Sequence, residues 1–127
     1  MALALVDTVI GASAPLAPHT FYAHLFPGLG GDWVSAIGPY DEHLVRDFGE
    51  ALVAIAVLLW VAAARFEPRL VRVALVVALV QSVPHFAYHL TTTERLDPLA
   101  DVTSLLALAV LVVLPAGALV AMHRGPR

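Results

Sequence analysis

The chain has 127 residues, of which 60% are hydrophobic and 13% charged, and its mean hydropathy of +0.84 is that of a membrane protein rather than of a soluble domain. This length supports one domain. The formal net charge is −3 and no basic stripe is present, which excludes nucleic acid as a partner; the absence of cysteine excludes disulfides and thiolate metal sites.

The first apolar segment, MALALVDTVIGASAPLAP, lacks the basic start of a signal peptide. We predict that it is a retained helix covering about residues 1–18. A bilayer core requires roughly 20 apolar residues, so this helix either tilts, thins the membrane locally, or reflects a late start codon. Asp7 lies in its cytoplasmic half, and we expect its side chain to snorkel toward the interface.

The loop that follows is longer than most helix connections. Its segment HTFYAHLF alternates aromatic and polar residues, which predicts a short interfacial helix. The glycines of PGLGGD predict a turn. A plain aromatic belt with a flexible tip is the alternative interpretation of this loop.

Three longer apolar runs follow, at about residues 44–64, 70–90 and 99–122. Backbone groups in hydrocarbon must be satisfied within the segment, so runs of this length and composition predict helices. The predicted fold is all-α: one domain, residues 1–127, that forms an integral membrane four-helix bundle with the short interfacial helix in its first outer loop.

Basic residues are concentrated on one side of this topology. Five of the seven lie between spans two and three or at the C-terminus: Arg65, Arg69, Arg72, Arg124 and Arg127. The positive-inside rule makes that side cytoplasmic. We therefore predict a multi-pass protein of the bacterial cytoplasmic membrane with both termini in the cytoplasm.

Ionisable residues are dense where span two begins, in PYDEHLVRDFGE. Residues four apart share a helical face, so His43 and Asp47 point one way, and Glu42 and Arg46 form an ion pair on a neighbouring strip. Glu50 lies about 10 Å deeper than His43. A carboxylate at that depth is expected to face the bundle interior.

Span three ends in PHFAYHL, which places His85 and His89 four apart on one face. In antiparallel helices, His85 comes level with Asp47, and His89 with His43. Gln81 and Ser82 lie just below and are expected to satisfy backbone groups freed by Pro84.

Imidazoles and carboxylates that face one another inside a bundle are typical of metal sites, and this donor set suits zinc, copper, iron or manganese. The predicted ligands are His43, Asp47, His85, His89 and Glu42. The predicted supporting residues are Arg46, Glu50, Asp97, Asp101, His19 and His24. A haem held by two histidines ranks below a metal ion, and a water-filled vestibule without metal is the simpler alternative.

The segments FYAHLFPGLGGDWV, GPYDEHLVRDFGE and PHFAYHL resemble a group of small bacterial four-helix membrane proteins in which PYNEHLVRDxG opens span two and PHxxxH closes span three. That group is similar to the DoxX-like class. Asp41 stands here where the pattern has Asn. The resemblance covers about residues 10–95; it implies four spans, one site formed by these polar residues, and an association with redox chemistry.

Three functions fit the sequence. The first is a membrane protein whose extracytoplasmic histidine and carboxylate cluster binds a transition metal as a redox or accessory site. The second is an enzyme that uses the same groups for acid–base chemistry on a lipid or quinone-like substrate. The third is a structural subunit, in contact with lipid and with other membrane subunits or further copies of itself.

Overall fold

The computed structural model describes residues 1–25, 33–91 and 97–124. These residues form five helices and no strand, which confirms the predicted all-α class. The helices are α1 (Ala2–Leu16), α2 (Pro18–His24), α3 (Glu42–Arg65), α4 (Pro68–Leu90) and α5 (Pro98–Arg124).

Helices α3, α4 and α5 contain 24, 23 and 27 residues and are long and apolar enough to cross a membrane. Their outer faces expose large apolar side chains, among them Val57, Val80 and Val113, as lipid contact requires. Helix α1 has only 15 residues and is shorter than a usual span. The described chain thus supplies three helices of spanning length, and a fourth span remains a prediction.

The short helix α2 lies within the segment where the sequence predicts one, and its position at a membrane interface remains a prediction. It is separated from α1 because Pro18 disfavours helical geometry in the residue before it, and Ala17 has φ −143° and ψ 63°. Pro18 then occupies the first turn of α2, where a missing N–H costs nothing.

Aspartates fix the beginnings of α3 and α5. The Asp41 side chain accepts a hydrogen bond from the Leu44 N–H at 3.1 Å. Asp97 Oδ1 accepts two, from the N–H groups of Leu99 and Ala100 at 2.9 and 3.1 Å. Each carboxylate satisfies donors that a helix start leaves without partners.

Helices α3 and α4 form a hairpin. Helix α3 ends at Arg65, and its cap residue Phe66 has a left-handed φ of 51° and donates its N–H to the Ala62 carbonyl; Pro68 starts α4 two residues later. We call the end of the molecule with this turn, which carries Arg65, Arg69 and Arg72, the basic end. The opposite end, where α4 finishes with His85 and His89, is the histidine end.

Two glycines bring α1 and α3 into close contact. A Cβ atom on Gly11 would lie 2.9 Å from the Leu52 Cβ, and one on Gly49 would lie 2.6 Å from the Ala14 Cβ. Neither position has room for a side chain, so the two backbones pack directly against each other.

The five helices form two groups that meet at the basic end. Helix α1 packs mainly along α3, and α4 packs mainly along α5. At the basic end a buried cluster of Ala4, Leu59, Ala62 and Ala74 joins α1, α3 and α4. Toward the histidine end the two groups separate, and the space between them is the candidate site.

Candidate functional site

A cleft of about 990 Å³ lies between the α1–α3 pair and the α4–α5 pair. All five helices and the segment 33–41 contribute to its walls. Most of the lining is apolar, with Ile10, Phe48, Leu52, Leu108 and Leu111 as examples. A cleft of this size and composition is typical of sites for small apolar molecules.

Two histidines of α4 line the cleft at the histidine end. The rings of His85 and His89 stack with centroids 4.9 Å apart and an interplanar angle of 14°, because residues four apart lie one above the other on a helix. Neither imidazole makes a hydrogen bond to another described residue, although both are half-buried. Both rings therefore have hydrogen-bonding capacity available to a molecule in the cleft.

Aromatic contacts connect this pair to the other wall. Phe21 of α2 lies 6.4 Å from Phe48 of α3, and Phe48 lies 6.0 Å from His85, measured between ring centroids. Tyr88 meets His89 edge to face at 5.9 Å. This series of rings connects α4 to α3 across the cleft at the histidine end.

A second set of polar groups lines the cleft deeper in the bundle. It consists of Asp7 from α1, Gln81 and Ser82 from α4, and Ser104 from α5. Asp7 is 8% exposed and Ser82 is 4% exposed. The Ser82 hydroxyl has no hydrogen-bond partner, and Asp7 forms no hydrogen bond or ion pair within the described part of the chain.

The expectation that Asp7 snorkels to the interface is therefore wrong. Asp7 lies on the buried face of α1 with Ala4, Gly11 and Ala14, which all follow at helical spacing. Tight packing of Gly11 against α3 fixes the rotation of α1 and turns Asp7 inward. The expectation that Ser82 satisfies backbone groups freed by Pro84 is also wrong, since its hydroxyl has no partner among the described residues. In the sequence, the small residues that share a helical face with Asp7 were the feature that could have predicted its burial.

The structure supports the predicted depth of His85 relative to Asp47. It does not support the prediction that His43 and Asp47 face the histidines of α4. His85 meets Phe48, the direct neighbour of Asp47, while His43 and Asp47 point outward with side chains 87% and 57% exposed. Their own pairing at 3.4 Å follows the predicted i,i+4 geometry. Glu50 is exposed as well, so its predicted inward orientation is wrong. Gly49 takes the inward position, because it packs against α1.

Glu42 and Arg46 form the predicted ion pair, with the Arg46 Nη2 2.8 Å from Glu42 Oε1. Arg46 Nη1 also donates to the Pro15 carbonyl at the C-terminal end of α1. A cation there complements the negative end of the helix dipole. Arg46 and Glu42 thus join α3 to the end of α1.

The remaining predicted residues are distributed around the histidine end. His19 and His24 are exposed on α2, and the His19 ring meets Tyr40 at 5.4 Å. Desolvation raises the pKa of the Tyr40 phenol, and the Glu42 carboxylate adds to this rise. Asp97 caps α5, and Asp101 lies near enough to His89 to interact with it electrostatically.

The structure does not assemble the predicted set of metal ligands. Within residues 1–25, 33–91 and 97–124, no three histidine, aspartate or glutamate side chains form a group that could hold a metal ion. His85 and His89 are together, while His43 and Asp47 form a separate outward pair. Metal binding itself remains a prediction.

Comparison with known proteins identifies no family for this chain. No family model, curated protein or solved structure matches the chain. The resemblance to DoxX-like proteins therefore remains a prediction.

Proposed function

We propose that this protein binds a lipid-soluble, amphipathic small molecule within the membrane. The apolar body of the molecule occupies the cleft between the two helix pairs. Its polar group forms hydrogen bonds with His85 and His89 at the histidine end.

The observation that carries this proposal is the combination of a large apolar cleft with imidazoles that have no hydrogen-bond partner among the described residues. Polar groups inside a membrane bundle are costly unless they are paired or functional. An apolar pocket with a few convergent polar groups is the usual form of a small-molecule site, in which apolar walls supply affinity and polar groups fix orientation.

The test uses 11-bromoundecan-1-ol, which has an apolar chain and one hydroxyl. The protein is placed in lipid nanodiscs, and binding is measured by titration calorimetry with empty nanodiscs as the reference for partitioning. We expect saturable binding by the wild type.

A matched pair of variants on α5 locates this binding. Ala107 lines the cleft, whereas its neighbour Leu106 is 63% exposed and lies outside the lining. Ala107→Phe should abolish saturable binding, and Leu106→Phe should leave it unchanged. The same binding affinity in both variants would refute the proposal. So would a heat of binding for the wild type no greater than that of empty nanodiscs.

A catalytic function is the second candidate, and the presence of two imidazoles and the Asp7 carboxyl in one cleft favours it. Such groups can serve as general acid and base toward a lipid or quinone-like substrate. Conversion of the bound molecule, followed by mass spectrometry with wild type and His85→Ala, distinguishes turnover from binding.

The transition-metal proposal is tested separately. Elemental analysis of protein purified without a histidine tag should show stoichiometric zinc, copper, iron or manganese, and less of it in His43→Ala, His85→Ala and His89→Ala. Because a metal requires neutral imidazole, retention should decrease as the pH falls through the histidine range. A metal-free wild type that takes up none of the four ions would eliminate this proposal.

A further inference from the structure

The polar group deepest in the cleft is the carboxyl of Asp7. Two contacts between α1 and α3 fix its position along α3. Gly11, one helical turn later in α1, lies against Leu52, and the Trp60 indole N–H donates to the Thr8 hydroxyl at 3.0 Å. Asp7 is therefore level with the middle of α3. At 1.5 Å per residue, this is about 21 Å from the first residue of α3.

No positive charge of the described chain reaches this level. Arg46 is engaged with Glu42 and with the end of α1, and Arg65, Arg69 and Arg72 lie at the basic end. A buried carboxyl without a cation is strongly unfavourable in its charged form. The compensating charge for Asp7 has to come from a proton or from a bound cation.

The lining of the cleft has further polar residues. Ser82 lines it from α4, and its buried hydroxyl makes no hydrogen bond within the described residues. Gln81 and Ser104 line the same cleft. Carboxylate, hydroxyl and amide oxygens are all acceptors, so the polar part of this lining suits a group with several N–H donors.

We infer that Asp7 is an inner binding subsite for the ammonium group of an amphipathic amine. This inference rests on the proposed function, since the apolar part of the amine occupies the same cleft. An ammonium group supplies the positive charge that Asp7 lacks, through a charge-assisted hydrogen bond. The proposed ligands thereby include lipid-soluble cations, whose ammonium group lies at Asp7 and not at His85 and His89.

Binding of the cation competes with binding of a proton at Asp7. The titratable groups that face this cleft from the neighbouring elements are Tyr22 of α2, Asp41 before α3, and His85, Tyr88 and His89 of α4; among the described residues α5 contributes none to the lining. Protonation of Asp7 removes the attraction, and protonation of either histidine adds repulsion. Both effects weaken amine binding as the pH falls.

The test compares 11-bromoundecan-1-amine, which is protonated at neutral pH, with 11-bromoundecan-1-ol in the same nanodisc calorimetry. The wild type should bind the amine more tightly than the alcohol by about 10- to 100-fold, the range of a charge-assisted hydrogen bond. Asp7→Asn should remove this preference and retain alcohol binding.

Asp47→Asn is the matched control, because Asp47 is an exposed carboxylate outside the cleft lining. It should leave the preference for the amine unchanged. Should Asp7→Asn fail to fold, amine affinity that decreases between pH 8 and pH 5 in the His85→Ala/His89→Ala double variant, beside constant alcohol affinity, supports the inference, and a pH-independent ratio overturns it. Alcohol binding without amine preference overturns the subsite alone, whereas no binding of either probe overturns the proposed function.

Discussion

At the scale of single residues, His85 and His89 are the groups that we propose to contact the ligand. They stack on one face of α4, line the cleft and keep their hydrogen-bonding capacity free within the described chain. His43 lies at a similar depth in the bundle, but its side chain points away from the cleft and is 87% exposed. The three histidines therefore have different expected effects on binding.

Replacing His85 or His89 by Ala should weaken binding of 11-bromoundecan-1-ol by about 3- to 10-fold, which corresponds to the loss of one hydrogen bond. His43→Ala should change the affinity by less than the error of the calorimetry. An equal loss in all three variants would instead favour a site shared by the three histidines.

The sequence predicted the levels of these residues but not their directions. Helical rise alone places His85 level with Asp47, and the ring contact of His85 with Phe48, the neighbour of Asp47, agrees with this level. Which of the two neighbours faces inward depends on the rotation of α3, and the close approach of Gly49 to α1 sets that rotation. Such a tertiary contact is not visible in the spacing of polar residues.

At the scale of helices, the contact between α1 and α3 determines which residues enter the cleft. Gly11 and Gly49 are packed against the partner helix without space for a Cβ atom. Asp7 and Phe48 occupy their positions in the cleft because these glycines fix both helix rotations. The same contact explains why sequence periodicity predicted the helices well and their facing sides poorly.

Gly49→Ala should lower the free energy of unfolding by about 1–3 kcal/mol, since the added methyl overpacks the contact with Ala14 and Pro15. Gly117→Ala is the control, because nothing lies within 4 Å of a Cβ atom at that helical position. Its stability should stay unchanged or rise by up to about 1 kcal/mol from helix propensity. Equilibrium unfolding of both variants in mixed micelles measures the difference, and similar losses would contradict the packing argument.

At the scale of the whole molecule, three helices have the length and apolar composition of membrane spans, while α1 is shorter. The cleft runs from the histidine end toward the middle of the bundle, and the arginines lie at the opposite end. The positive-inside rule then predicts a cleft entered from the outer half of the membrane.

Reporter fusions test this orientation. A fusion after residue 67, in the turn between α3 and α4, should report the cytoplasm, and a fusion after residue 95 should report the outside. The arginine distribution is the physical reason for this expectation. A cytoplasmic signal at residue 95 would be incompatible with the predicted topology.

The most direct test of ligand binding in the cleft is a crystal structure of the protein soaked with 11-bromoundecan-1-ol, with the bromine located by anomalous scattering. Binding in the cleft predicts a bromine peak between the α1–α3 and α4–α5 pairs, which Ala107→Phe removes and Leu106→Phe retains. Bromine peaks confined to the outer, lipid-facing surfaces of α3, α4 and α5 would contradict it.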